Sequence, residues 1–184
     1  MTGPVALWCR LGAGLLAGAI AIGLNTVALK LADYVPLATA HGGLLRLVSL
    51  WIGPVLQQTG IAALWLALGG PPANTPPFQT GFHLAVGLAM AVVYVVAIEP
   101  VLPRPAWLKG AIYAAGVWLL NAVVVLPLTG EGFAGSAHLT PAGMLWYAAA
   151  HTLFFMTLAL LFARFSPRPP RPISRGGAGE VFTG

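Results

Sequence analysis

An all-α integral membrane protein is the fold class this sequence predicts, and three observations predict it. Hydrophobic residues fill 58% of the 184 positions and charged residues only 7%, whereas a soluble domain needs roughly a quarter charged to dress its surface. Apolar runs of about 20 residues, the length that crosses a hydrocarbon core, recur along the chain. Pro- and Gly-rich segments separate them. With a mean hydropathy of +0.86, the chain would be solvated mainly by lipid, so the bilayer is its first expected partner.

The first apolar run follows Arg10 and reads LGAGLLAGAIAIGLNTVAL. It resembles a signal peptide, but about 19 residues exceed the roughly 7–15 of a cleaved hydrophobic region. The sequence therefore predicts a retained span over 11–32. Three further spans are expected over 79–98, 107–128 and 142–163. EPVLPRP (99–105) breaks the chain after the second span, and PLTGEGFAGSAHLTP (127–141) separates the last two. Thr140-Pro141 is a helix start, with Thr as N-cap and Pro in the first turn.

Residues 42–69 are apolar but contain Arg46, Gly53-Pro54 and Gln57-Gln58. They fit an interfacial or re-entrant element broken at Gly53-Pro54, which leaves four spans. Alternatively, 47–69 forms a fifth span and the N-terminus changes sides. The charge around the first helix favours four. Residues 1–165 thus form the membrane domain. The tail 166–184, rich in Pro, Gly and Arg, is expected to be disordered, because it has too little apolar surface to fold alone.

The net charge of +5 does not point to nucleic acid. Arg164, Arg168, Arg171 and Arg175 gather at or beyond the last span, where basic residues mark the cytoplasmic flank. Arg104 and Lys109 mark the same flank between the middle spans. The expected location is a bacterial inner membrane, multi-pass, with the C-terminus cytoplasmic. The single cysteine, Cys9, excludes an intrachain disulfide, and no CxxC or CxxCH occurs.

Small residues recur at helical spacing: Gly14/Gly18, Gly87/Ala91 and Gly110/Ala114. Such pairs let helix backbones approach closely in lipid. Trp107, Trp146 and Tyr147 lie near span ends, where an aromatic belt belongs.

Four strongly polar side chains fall inside the spans, one per helix. Counted at 1.5 Å per residue from the cytoplasmic end, His83 lies about 22 Å up, His151 about 18 Å, and Asn25 and Asn121 about 21 Å. Polar groups in lipid turn to the bundle interior, where they pair or line a cavity. The sequence therefore predicts a shared polar layer of Asn25, His83, Asn121 and His151.

Interhelical hydrogen bonding that sets register is the plainest use of such a layer. A metal site is a second: His41, His83, His138 and His151 sit toward the periplasmic side with Glu131, although no pair has a preformed ligand spacing. Haem b held between His83 and His151, beside Phe154, Phe155 and Met156, is a third. Solute or proton passage is a fourth, but no acidic residue lies within the spans to extend a relay.

Glycines 130, 132 and 135 allow a tightly turned loop that presents Glu131 and His138. GxSxG, HExxH and paired carboxylates are absent, so enzymatic activity has no support. The sequence thus leads to a structural or accessory subunit of a larger membrane complex, packing through small-residue faces against other subunits or itself. A haem- or metal-binding protein using His83 and His151 is the alternative, and a small transporter or channel a further one.

Overall fold

The computed structural model describes residues 4–35 and 43–166. Seven helices follow in chain order: α1 (Pro4–Leu31), α2 (Gly43–Trp51), α3 (Gly53–Gln58), α4 (Ile61–Ala67), α5 (Pro76–Val101), α6 (Ala106–Leu128) and α7 (Pro141–Phe165). Among the described residues, α1, α5, α6 and α7 are long and apolar enough to cross a membrane. His41 and residues 167–184, most of the tail, lie outside the described residues.

The segment between the first two spans does not form a fifth. It divides into helices of nine, six and seven residues, the longest only about 13 Å, against a hydrocarbon core of about 30 Å. Two breaks cause this. Pro54 lies in the first turn of α3 and has no N–H to continue the ladder from α2. Gly60 takes a φ of 74° between α3 and α4, a conformation costly for any residue with a Cβ. The short helices leave Trp51 and Leu68 67% and 77% uncovered by protein.

α5 runs past its expected end at residue 98, whereas α6 ends at Leu128 as expected, and both carry a proline in the last turn. Pro100 and Pro127 lie within the last turns of α5 and α6, and each follows a π-turn, Tyr94–Ile98 and Asn121–Val125. The physical reason is shared. A proline ring clashes with the carbonyl four residues back and donates nothing to it. Widening the preceding turn by one residue removes the clash and keeps the helix going. At the other end, Thr140 Oγ1 accepts a hydrogen bond from the Gly143 amide at 3.1 Å, so α7 starts as the Thr-Pro pair predicts.

The spans pack in the order α6–α7–α1–α5. Ala17, Ala21, Ile22, Tyr94, Tyr113, Phe155, Leu158 and Phe162 form the centre of the core. Tyr94 stacks on Tyr113 at 6.2 Å and meets Phe162 edge-on at 5.5 Å. The small residues are what allow this closeness. A Cβ on Gly14 or Gly18 would overlap Val95 or Ala91 of α5. One on Gly87 would overlap Ile22, and one on Gly110 would press on α7 at Phe155 and Ala159. All three small-residue faces are therefore occupied inside the bundle.

One end of the bundle is basic, carrying Arg10, Arg104, Lys109 and Arg164. There α5 and α6 are clamped together by Lys109 Nζ, 2.7 Å from Glu99 Oε2. At the opposite end α2 lies over α6, with Leu47, Val48 and Trp51 around Leu128.

Candidate functional site

Because α5 and α6 meet at the basic end, around Tyr94 and Tyr113, and diverge beyond it, a cavity of about 700 Å³ opens in the other half of the bundle. All four spans wall it, α2 covers its far end, and it is partly open to the surroundings. Asn25, His83, Asn121 and His151 all line it, so one space contains the four side chains of the expected layer. Apolar wall comes from Ile22, Met90, Val117, Phe154 and Phe155. An apolar pocket with a few convergent polar groups is the usual form of a small-molecule site.

The hydrogen bonds within the layer determine which atoms remain for a ligand. Asn25, only 1% exposed, donates from Nδ2 to the Ala150 carbonyl of α7 at 2.8 Å. Its Oδ1 is then the acceptor, and His83 Nε2–H donates to it at 2.9 Å. Asn25 thus ties α1 to both α5 and α7. His151 Nδ1 lies 2.8 Å from the Tyr147 carbonyl; a carbonyl only accepts, so this nitrogen carries the proton. Asn121 donates from Nδ2 to the Val117 carbonyl at 3.0 Å, and the π-turn of α6 begins at this residue.

A second polar group closes the far end. Glu131 is 2% exposed. Arg46 Nη1 reaches its Oε1 at 2.7 Å, and His138 Nδ1 its Oε2 at 2.8 Å. Glycines 130, 132 and 135 all take positive φ here, and the loop wraps the carboxylate between α2 and the end of α6. Of the proposed metal ligands, Glu131 and His138 are together, His83 and His151 share the cavity, and no three of His, Cys, Asp and Glu converge among the described residues. Both Glu131 oxygens already bind nitrogen donors.

No family model, curated protein or solved structure matches the chain.

Two participants escaped the sequence reading. Arg46 weighed there only as a topological charge, yet it lines the cavity and binds Glu131 85 residues away. Tyr147 was placed in an interfacial belt. It also lines the cavity, with its ring 4.2 Å from that of His151. The i,i+4 spacing of Tyr147 and His151 was the available signal. Its neighbour Trp146 donates to the Ala28 carbonyl at 3.0 Å and so fastens α7 to α1.

Proposed function

We propose that this protein binds a small membrane-soluble molecule in the cavity between its spans. The observation that carries this reading is the convergence of Asn25, His83, Asn121 and His151 on one largely apolar space of about 700 Å³. Polar side chains needed only for register would pair with one another and leave no room between them. Here Asn25 pairs with His83, while Asn121 and His151 bond only carbonyls of their own helices. Among the described residues, His151 Nε2 and Asn121 Oδ1 have no hydrogen-bond partner.

Binding is better supported than an accessory-subunit role, because the small-residue faces that would dock a partner are filled by the bundle itself. It is also better supported than haem ligation by His83 and His151, since His83 directs Nε2 to Asn25 and would have to ligate through the nitrogen nearer its backbone. Clustered basic residues at one end support a bacterial inner-membrane placement with that end cytoplasmic. The cavity then opens in the periplasmic half.

The test is purification in native lipid particles, organic extraction and mass spectrometry of the extract. A discrete molecule near one per protein, lost in Val117→Trp, which fills the cavity, supports the proposal. An extract holding only bulk lipid, identical in the variant, overturns it. A Soret band in the purified protein would decide for haem instead.

A further inference from the structure

The layer's hydrogen bonds share a polarity. Each side chain of the layer donates one hydrogen bond to a protein oxygen: Asn25 Nδ2 to Ala150, His83 Nε2–H to Asn25, Asn121 Nδ2 to Val117, and His151 Nδ1–H to Tyr147; each carboxamide keeps a second N–H. Three of the four oxygens are backbone carbonyls and the fourth belongs to an amide whose own donor is committed, so none of the assignments can be reversed. Besides these amide N–H groups, one lone-pair atom remains on each of three side chains: Nδ1 of His83, Nε2 of His151 and Oδ1 of Asn121. None has a hydrogen-bond partner among the described residues, and none is sealed off in the packing. All three residues border the cavity. The cavity is also lined by Tyr147, whose hydroxyl serves as donor or acceptor, and by Arg46, Ser49, Asn74 and Gln79.

Resting on the cavity reading, we infer that the ligand is a hydroxyl-bearing aromatic amphiphile of the phenol or quinol class. Its O–H donates into the acceptor cluster of His83, Asn121 and His151. Acceptors facing a low-dielectric space are costly unless a donor meets them; a quinone carbonyl or an ether leaves both bare imidazole nitrogens unmet, whereas a hydroxyl donates to one of them and can accept the second N–H of Asn121. The aromatic character follows from the rings beside the cluster. Phe82, Phe154 and Phe155 border the same space and suit a planar ring stacked or met edge-on. The cavity is partly open to the surroundings, so a ligand can enter it.

A matched pair of probes tests this on the full-length protein in lipid nanodiscs. 4-Nonylphenol and 4-nonylanisole differ by one methyl on the oxygen, so one donates a hydrogen bond and the other cannot. Calorimetric titration should show the phenol binding about tenfold more tightly than the ether, the worth of one well-made hydrogen bond in this setting. That preference should vanish in His151→Phe. If His151→Phe does not fold, the same decision comes from the wild-type imidazole ¹⁵N resonances. The unprotonated nitrogens of His83 and His151 should shift with the phenol and not with the ether. Equal binding of the two probes overturns the donor rule but leaves the cavity reading standing. Binding of neither overturns both. Dodecanol binding as tightly as the phenol overturns the aromatic part.

Discussion

Asn25 on the first span and His83 on the second are joined at 2.9 Å, side chain to side chain, near the middle of the bundle. The bond fixes the imidazole tautomer, and through the Asn25 bond to Ala150 it secures the third wall of the same cavity. One carboxamide thus joins three helices and sets the chemistry that faces the space between them.

Asn25→Leu should therefore cost more than an ordinary interhelical hydrogen bond. The substitution leaves the His83 N–H unpaired in an apolar setting and removes the second bond to the Ala150 carbonyl, worth about 1–2 kcal/mol together. Thermal unfolding in mild detergent should show a clear fall in midpoint. Thr26→Ala, which removes only a bond to the Ile22 carbonyl of the same helix, should stay within about 0.5 kcal/mol of the parent.

Gly18→Leu should separate α1 from α5. Its Cβ would stand 2.5 Å from that of Ala91, and overpacking of this kind costs about 1–3 kcal/mol. Gly12→Leu, six residues closer to the N-terminus and with nothing within 4 Å, should be silent. The contrast is read in the same unfolding assay. Equal effects at both glycines would mean that the α1–α5 contact is misplaced.

Glu131→Gln should release α2 from the far end of the bundle. Arg46 is 49% exposed, so its bond is partly screened and worth about 1 kcal/mol. Hydrogen exchange across 43–51 should accelerate about fivefold while the four spans keep their protection. His138→Ala should do less, because it leaves the Arg46 contact intact.

The span pattern was legible in sequence because oil solubility is a property of local composition: a 20-residue apolar run reads the same in any fold. The layer was legible for a related reason, since depth along a helix is a count of residues. What α2 does was not legible, because Arg46 and Glu131 meet across 85 residues and neither residue carries a local signal of the other. The two π-turns were hidden too. Pro100 and Pro127 signal a break, and only packing decides whether a helix stops there or widens and continues. Small-residue pairs reveal close contact but never the partner, so Gly14, Gly18 and Gly110 fitted an external surface until their neighbours were in view.

Both ends of the chain should lie on the same side of the membrane, with Ser136 on the other. Green fluorescent protein fused after Gly184 should fluoresce, and alkaline phosphatase inserted at Ser136 should be active. The opposite pattern would invert the orientation and place the cavity in the cytoplasmic half.

The protonation of the two cavity histidines tests the account most directly. Long-range ¹H–¹⁵N correlation spectra of histidine-labelled protein at neutral pH distinguish the two neutral tautomers from the doubly protonated ring. His83 should carry its proton on Nε2 and His151 on Nδ1, so that each ring offers a bare nitrogen to the cavity. A His151 ring protonated on Nε2, or either ring protonated on both nitrogens, would contradict the account, because the acceptor cluster would not exist.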